Sequence, residues 1–202
     1  MIAIVDYGAG NIFSVKNALD YLGLPGELTC DPEFITAADA IILPGVGAFP
    51  TAMDMLREKN LVEVLQREAK RKPFLGICLG MQLIFETGYE FQACKGLGLI
   101  PGTVEKIEAP GLTIPHMGWN ALEMHNPCPI LENIPPSSYV YFVHSYQAKT
   151  APAYLAATVT YGDAVIPAMV YDGKTVYGSQ FHPEKSGEVG LQILRNFGGL
   201  LS

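Results

Sequence analysis

Histidine is scarce in this 202-residue chain, with four copies, and tryptophan occurs once. Cysteine is also limited to four positions, Cys30, Cys78, Cys94 and Cys128, and no two of them form a C-x-x-C pair. Scattered cysteines without a secretion signal argue for free thiols and against a disulfide framework. No His or Cys pair has ligand spacing, so no metal site is expected. Charge is sparse as well, at 16% of residues with a net of -7. With no basic stripe, neither duplex nucleic acid nor an anionic membrane is expected as a partner. The one tight basic cluster, Lys70-Arg71-Lys72, reads as charge complementing the dipole at a helix C-terminus. No apolar run approaches membrane-spanning length. The opening Met1-Ile2-Ala3-Ile4-Val5-Asp6 has no basic n-region and no cleavage site, so the expectation is a cytoplasmic protein. Repeats, low-complexity tracts and linkers are missing too, and residues 1–202 read as a single domain.

Hydrophobic residues make up 49% of the chain, enough for a well-buried core. Ile2 to Val5 reads as a buried strand, followed by the Gly-rich turn Asp6-Tyr7-Gly8-Ala9-Gly10-Asn11 and a helix from Ile12 to Leu22. A second strand, Ala40 to Leu43, ends in Pro44-Gly45-Val46-Gly47. Helical character then runs from Phe49 to Arg71 with a break near Asn60, before a strand at Phe74 to Ile77 and a helix to about Glu86. This alternation predicts an α/β fold with a parallel sheet covered on both faces. Beyond Gly96 the pattern changes. Gly96 to Glu108, Leu122 to Met124, Tyr139 to Tyr146, Tyr154 to Thr160, Ala164 to Tyr171 and Val176 to Phe181 are β-rich, and they predict antiparallel strands extending the same sheet. An amphipathic helix from Gly187 to Leu200 closes the chain.

Chemistry concentrates at Cys78. It sits in Gly76-Ile77-Cys78-Leu79-Gly80, where an apolar strand pattern stops and a helical one begins. Small residues on both sides permit a sharp strand-to-helix turn, the thiol form of the nucleophile elbow. Such a turn exposes the sulfur at the carboxyl edge of a sheet and at a helix N-terminus, which favours thiolate. A nucleophile needs a base. His182 follows the strand Val176 to Phe181, at a strand end where open α/β sheets place their sites. Pro183 fixes the turn after it, so Glu184 can curl back to orient the imidazole. Cys78 as nucleophile, His182 as base and then acid, and Glu184 as orienter form a plausible triad. The Leu79 amide is one candidate oxyanion donor, and Pro44-Gly45-Val46-Gly47 is the source of another.

Together, Pro44-Gly45-Val46-Gly47, Gly76 through Gln82 and His182-Pro183-Glu184 resemble class I (triad) glutamine amidotransferases. Further strings resemble one branch, the glutaminase subunits of imidazole glycerol phosphate synthases. They are Asp6-Tyr7-Gly8-Ala9-Gly10-Asn11, Lys95 through Gly102, Pro115-His116-Met117-Gly118-Trp119-Asn120, Tyr141 through Tyr146 and His182-Pro183-Glu184-Lys185-Ser186. The likeness covers essentially the whole chain, in order. It implies a flavodoxin-like three-layer fold and a reaction in which Cys78 attacks the side-chain amide of L-glutamine. It implies a (β/α)₈-barrel cyclase partner, which takes up the ammonia and forms imidazole glycerol phosphate and aminoimidazole carboxamide ribotide. No cofactor is implied. By the same resemblance Gly47, Gln82, Glu90, Ser145 and Tyr146 hold glutamine, while Asn11, Met117, Trp119 and Lys185 face the cyclase. A peptide of the 44–47 strand, with Val46 as donor, is expected to turn into the oxyanion hole when the partner binds. Gly45 is expected to allow that rotation at low steric cost. Other glutaminases of the class, a non-catalytic binding subunit and a cysteine peptidase are the competing readings.

Overall fold

The fold is that of a computed structural model, which describes residues 1–201. The first half alternates strands and helices: β1 (Ile2–Val5), α1 (Ile12–Tyr21), β2 (Gly26–Thr29), α2 (Pro32–Ala37), β3 (Ala40–Gly45), α3 (Phe49–Glu58), α4 (Val62–Glu68), β4 (Phe74–Cys78) and α5 (Leu79–Leu83). Short strands then follow: β5 (Phe85–Gly88), β6 (Cys94–Lys95), β7 (Ile100–Lys106), β8 (His116–Ala121), β9 (Glu123–Met124), β10 (Tyr139–His144) and β11 (Tyr146–Lys149). The chain closes with β12 (Leu155–Tyr161), β13 (Ala164–Tyr171), β14 (Val176–Ser179) and α6 (Gly187–Gly198).

The main sheet has the order β2-β1-β3-β4-β14-β13-β12-β9. Its first five members are parallel and its last three antiparallel. The parallel part has the flavodoxin-like order 2-1-3-4-5, with β14 as fifth strand. Strands β1, β3 and β4 are buried along their whole length, because helices cover both faces. Ile2 and Ile4 pack with α1 and α6, whereas Ala3 and Val5 pack with α2 to α5. This period-2 split produces three layers. The break expected near Asn60 separates α3 from α4, and Asn60 itself takes a positive φ of 57°. Lys72 of the basic cluster donates to the carbonyls of Ile35, Thr36 and Ala38, satisfying the C-terminal end of α2 as well as the Glu68 carboxylate.

Four expectations need correction. First, the helix after Cys78 stops at Leu83 instead of Glu86, because Phe85–Gly88 is taken up as a strand between β6 and β7. Second, the β-rich second half does not simply extend the main sheet. β11, β7, β5 and β6 form a separate four-stranded sheet, and β8 and β10 form a two-stranded one. Third, the string Met117-Gly118-Trp119-Asn120, which reads as turn-like in the sequence, lies within strand β8, with Trp119 cross-strand from Tyr141. Fourth, β2 and α2 carry no strong apolar period and were not expected; β2 is an edge strand with only Gly26 buried. Among the described residues, no helix is long and apolar enough to cross a membrane.

Candidate active site

The elbow at Cys78 is a close approach of bare backbone. Cys78 has φ 55° and ψ -108°, a strained conformation held in place by its surroundings. A side chain at Gly76 would meet the Gly80 carbonyl at 2.5 Å, and one at Gly80 would run into the Leu43 carbonyl. The start of α5 therefore rests directly on β3 and β4. Gly45, the last residue of β3, is the sheet neighbour of Cys78. Three strand ends, β3, β4 and β14, thus bring Val46, Cys78 and His182 to one edge of the sheet, as open α/β sheets do.

There they border a cavity of about 330 Å³. Gly47, Leu79, Gln82 and Glu90 line it together with Cys78 and His182. Ser145, which joins β10 to β11, and Tyr146, the first residue of β11, also line it. Glu184 stands behind the imidazole: His182 Nδ1 donates to Glu184 Oε1 at 2.8 Å, and both side chains are buried. Among the described residues Nε2 of His182 is left without a partner of ordinary hydrogen-bond geometry, and the nearby group is the Cys78 sulfur. Burial alone would lower the His182 pKa. The neighbouring Cys78 sulfur and Glu184 carboxylate outweigh it and push the ring up to about 10. The turn carrying this pair is tied to β10, since His182 N donates to the Tyr141 carbonyl and Tyr141 N donates to Ser186 Oγ.

Glu90 reaches the cavity from the loop after β5. Its Oε2 accepts the Phe49 amide at 2.7 Å and so satisfies the N-terminus of α3. Gln82 lies one turn into α5, and its Nε2 donates to the Tyr146 carbonyl and to Gln180 Oε1, each at 3.1 Å. A side chain at Gly45 would collide with the Tyr7 hydroxyl and lie 3.1 Å from Leu79 Cβ, so Gly45 is a packing position. Gly47, at φ 106° with open space around it, is the glycine whose backbone freedom the turn uses.

The chain matches the family model "Glutamine amidotransferase class-I" over residues 3–199. It belongs to that family. Among its relatives are the "Imidazole glycerol phosphate synthase subunit HisH" proteins of Bacillus thuringiensis (strain Al Hakam) and Bacillus cereus (strain ZK / E33L). Each is 51% identical over 202 residues, covering 100% of this chain and 95% of the relative. This amidotransferase also shares its fold with PurLQS from Thermotoga maritima, at TM-score 0.77 and 21% identity, over 100% of this chain and 98% of the other. A second solved glutamine amidotransferase superposes at TM-score 0.76 and 22% identity, over 100% and 99%.

The expected partner-facing residues occupy neighbouring elements. Asn11 holds the N-cap position of α1 without capping it through its side chain, whose Oδ1 accepts from Ser14 Oγ. Helix α1 packs on the 3₁₀ turn Pro183–Lys185, which packs on β10, which pairs with β8. Lys185 is exposed, as are Met117 and Trp119 at 62% and 53%. Sequence reasoning missed Pro115, Val143 and His144 on the cavity wall, and Gln180 and Tyr7 behind it. Only His144 left a signal: it continues the alternation Val140, Phe142, His144, the inward face of a strand.

Proposed function

We propose that this chain hydrolyses L-glutamine to glutamate and ammonia through a thioester on Cys78. The observation that carries the reading is the His182 ring beside Cys78, held at Nδ1 by Glu184 and free at Nε2. The Cys78 sulfur attacks the side-chain amide carbon, and the developing oxyanion is met by the Leu79 and Val46 amides. The carbon–nitrogen bond breaks as His182 Nε2 gives its proton to the departing nitrogen, releasing ammonia. Water then attacks the thioester carbon, His182 takes up its proton, and that proton returns to the sulfur as glutamate leaves. Glu184 keeps the ring in the right tautomer and stabilises the imidazolium. Gln82, Glu90 and the Ser145–Tyr146 backbone hold the α-ammonium and α-carboxylate, and Gly47 borders the same cavity.

The family name of the relatives supports the destination of the ammonia, a cyclase subunit of imidazole glycerol phosphate synthase, in histidine biosynthesis. Its (β/α)₈-barrel form and its products, imidazole glycerol phosphate and aminoimidazole carboxamide ribotide, belong to the same proposal. Exposed Met117 and Trp119, with Asn11 and Lys185 close by, support the docking face. Lys185 directly follows the triad acid, so a partner carboxylate on it is coupled to Glu184 through one peptide. The decisive experiment is glutamate release by the purified chain, alone and with the cyclase and its nucleotide ligand. A rate that rises strongly in the complex and disappears in Cys78→Ala is expected. No rate in either condition, with the fold intact, overturns the reading in favour of a binding subunit.

A further inference from the structure

The β8–β10 ribbon has two unlike faces. Met117, Trp119 and Tyr139 point outward, whereas His116, Phe142 and His144 point into the core. His116 and His144 are direct cross-strand partners, with His116 Nδ1 2.9 Å from His144 Nε2. His144 Nδ1 lies 2.8 Å from the Tyr146 carbonyl. That carbonyl also accepts from Gln82 Nε2, which donates to Gln180 Oε1 as well. Gln180, fully buried, donates from Nε2 to the Cys78 sulfur at 3.8 Å. An unbroken run of buried and part-buried polar contacts therefore joins the inner face of the exposed Trp119 strand to the nucleophile.

The run has a fixed proton order. A carbonyl can only accept, so His144 must carry its proton on Nδ1. Burial pulls the His144 pKa down to about 4, which leaves the ring neutral and Nε2 bare. A bare nitrogen needs a donor, and the ring facing it is His116, through Nδ1. On its far side His116 Nε2 lies 2.8 Å from Asn120 Oδ1, with Asn120 Nδ2 toward the Thr160 carbonyl at 3.4 Å; a neutral His116 with its proton on Nδ1 requires that amide to turn its NH₂ to Nε2. His116 itself is clamped between aromatic rings, 5.0 Å from Phe142 and 4.3 Å from Tyr161, so its donor cannot swing away. Remove that donor and His144 loses the partner that fixes its tautomer. The Tyr146 carbonyl then loses one of its two donors, and the acceptor that aligns Gln82, and through it Gln180, is no longer held from both sides.

We propose that His116 is a positioning residue for the Cys78 thiol, acting through His144, the Tyr146 carbonyl, Gln82 and Gln180. The proposal rests on Cys78 being the reactive nucleophile of the preceding reading, and it gives Gln180 the role of donor to the sulfur. It also places the exposed Trp119 strand and the nucleophile on one rigid polar run, so a shift of the ribbon is felt at the sulfur.

Two substitutions separate the donor from the bulk. His116→Asn retains a nitrogen where Nδ1 was, facing His144. His116→Gln moves the nitrogen to the Nε2 side, facing Asn120, and leaves His144 Nε2 without a donor. The readout is the second-order rate of Cys78 alkylation by iodoacetamide at pH 7.5, located by peptide mass mapping, beside the melting temperature. The Gln variant is expected to alkylate about fivefold more slowly at an unchanged melting temperature, as for one lost hydrogen bond to a charged group partly transmitted. The Asn variant should stay within about twofold of the parent. Gln180→Leu should slow alkylation like His116→Gln, with no further slowing when the two are combined. Both His116 variants at the parental rate, or both slowed in step with falling melting temperatures, overturn the proposal. Should neither variant fold, the ¹⁵N shifts of the parent decide: a His144 ring protonated at Nε2 instead of Nδ1 overturns it. A chain that alkylates normally but releases no glutamate, with or without the cyclase, sinks the glutaminase reading and leaves the alkylation comparison able to decide the positioning role.

Discussion

The Tyr7 hydroxyl stands where a side chain on Gly45 would begin, and it has no hydrogen-bond partner of its own among the described residues. A buried, unpaired hydroxyl is destabilising, and burial together with the nearby Cys78 raises the Tyr7 pKa and keeps it protonated. Tyr7→Phe is accordingly expected to leave stability unchanged or raise it by up to about 1 kcal/mol. Gly45→Ala should cost about 1–3 kcal/mol through overpacking. The double variant should lose less than the sum, because removing the hydroxyl opens room for the methyl. Urea denaturation of the four proteins measures this; strict additivity would contradict the close contact.

Glu184 acts only through His182, so its replacement separates orientation from nucleophilicity. Glu184→Gln should lower glutamine turnover by a factor on the order of 100 or more while KM changes little. Steady-state kinetics in the presence of the cyclase checks this. A variant with parental turnover would remove Glu184 from the site.

The two cavity histidines respond to pH in opposite senses. His182 is raised from 6.5 to about 10, so its stabilising contribution is complete below pH 6.5 and fades as pH climbs through 10. His144 is lowered from 6.5 to about 4, so its contribution is present above pH 6.5 and fades as pH falls toward 4. Melting temperatures across pH 4 to 10 should fall at both ends. His182→Gln should flatten the alkaline limb and His144→Gln the acid limb. A variant that flattens the opposite limb contradicts these assignments.

The four thiols should not react alike. Burial pushes Cys128 up to about 11, whereas Cys30 is exposed. At pH 8 iodoacetamide should modify Cys30 readily and leave Cys128 intact in the folded chain. Mass mapping after a short pulse tests this, and equal labelling would show that the packing around Cys128 opens readily.

Much of the site was legible because it is local. An elbow needs small residues two before and two after the nucleophile, and Gly76-Ile77-Cys78-Leu79-Gly80 carries them in order. His182, Pro183 and Glu184 are consecutive, so base and orienter could be paired without a structure. The parallel strands were visible as continuous apolar runs. Edge strand β2 carries no such run, and β5 has a pattern equally compatible with the helix that precedes it.

Sequence alone determined which groups could do chemistry, because strand periodicity, turn sterics and the Cys, His and Glu strings act over a few residues. Tertiary structure decided which distant groups meet. Gln180 touches a sulfur 102 residues away, and His116 meets His144 across two strands joined by a long connection. A buried glutamine reads as surface in a sequence, since nothing local pays its desolvation; only the packed fold supplies the partners that make burial tolerable. The same holds for Gly45, where the Tyr7 hydroxyl from another strand end leaves no room for a side chain.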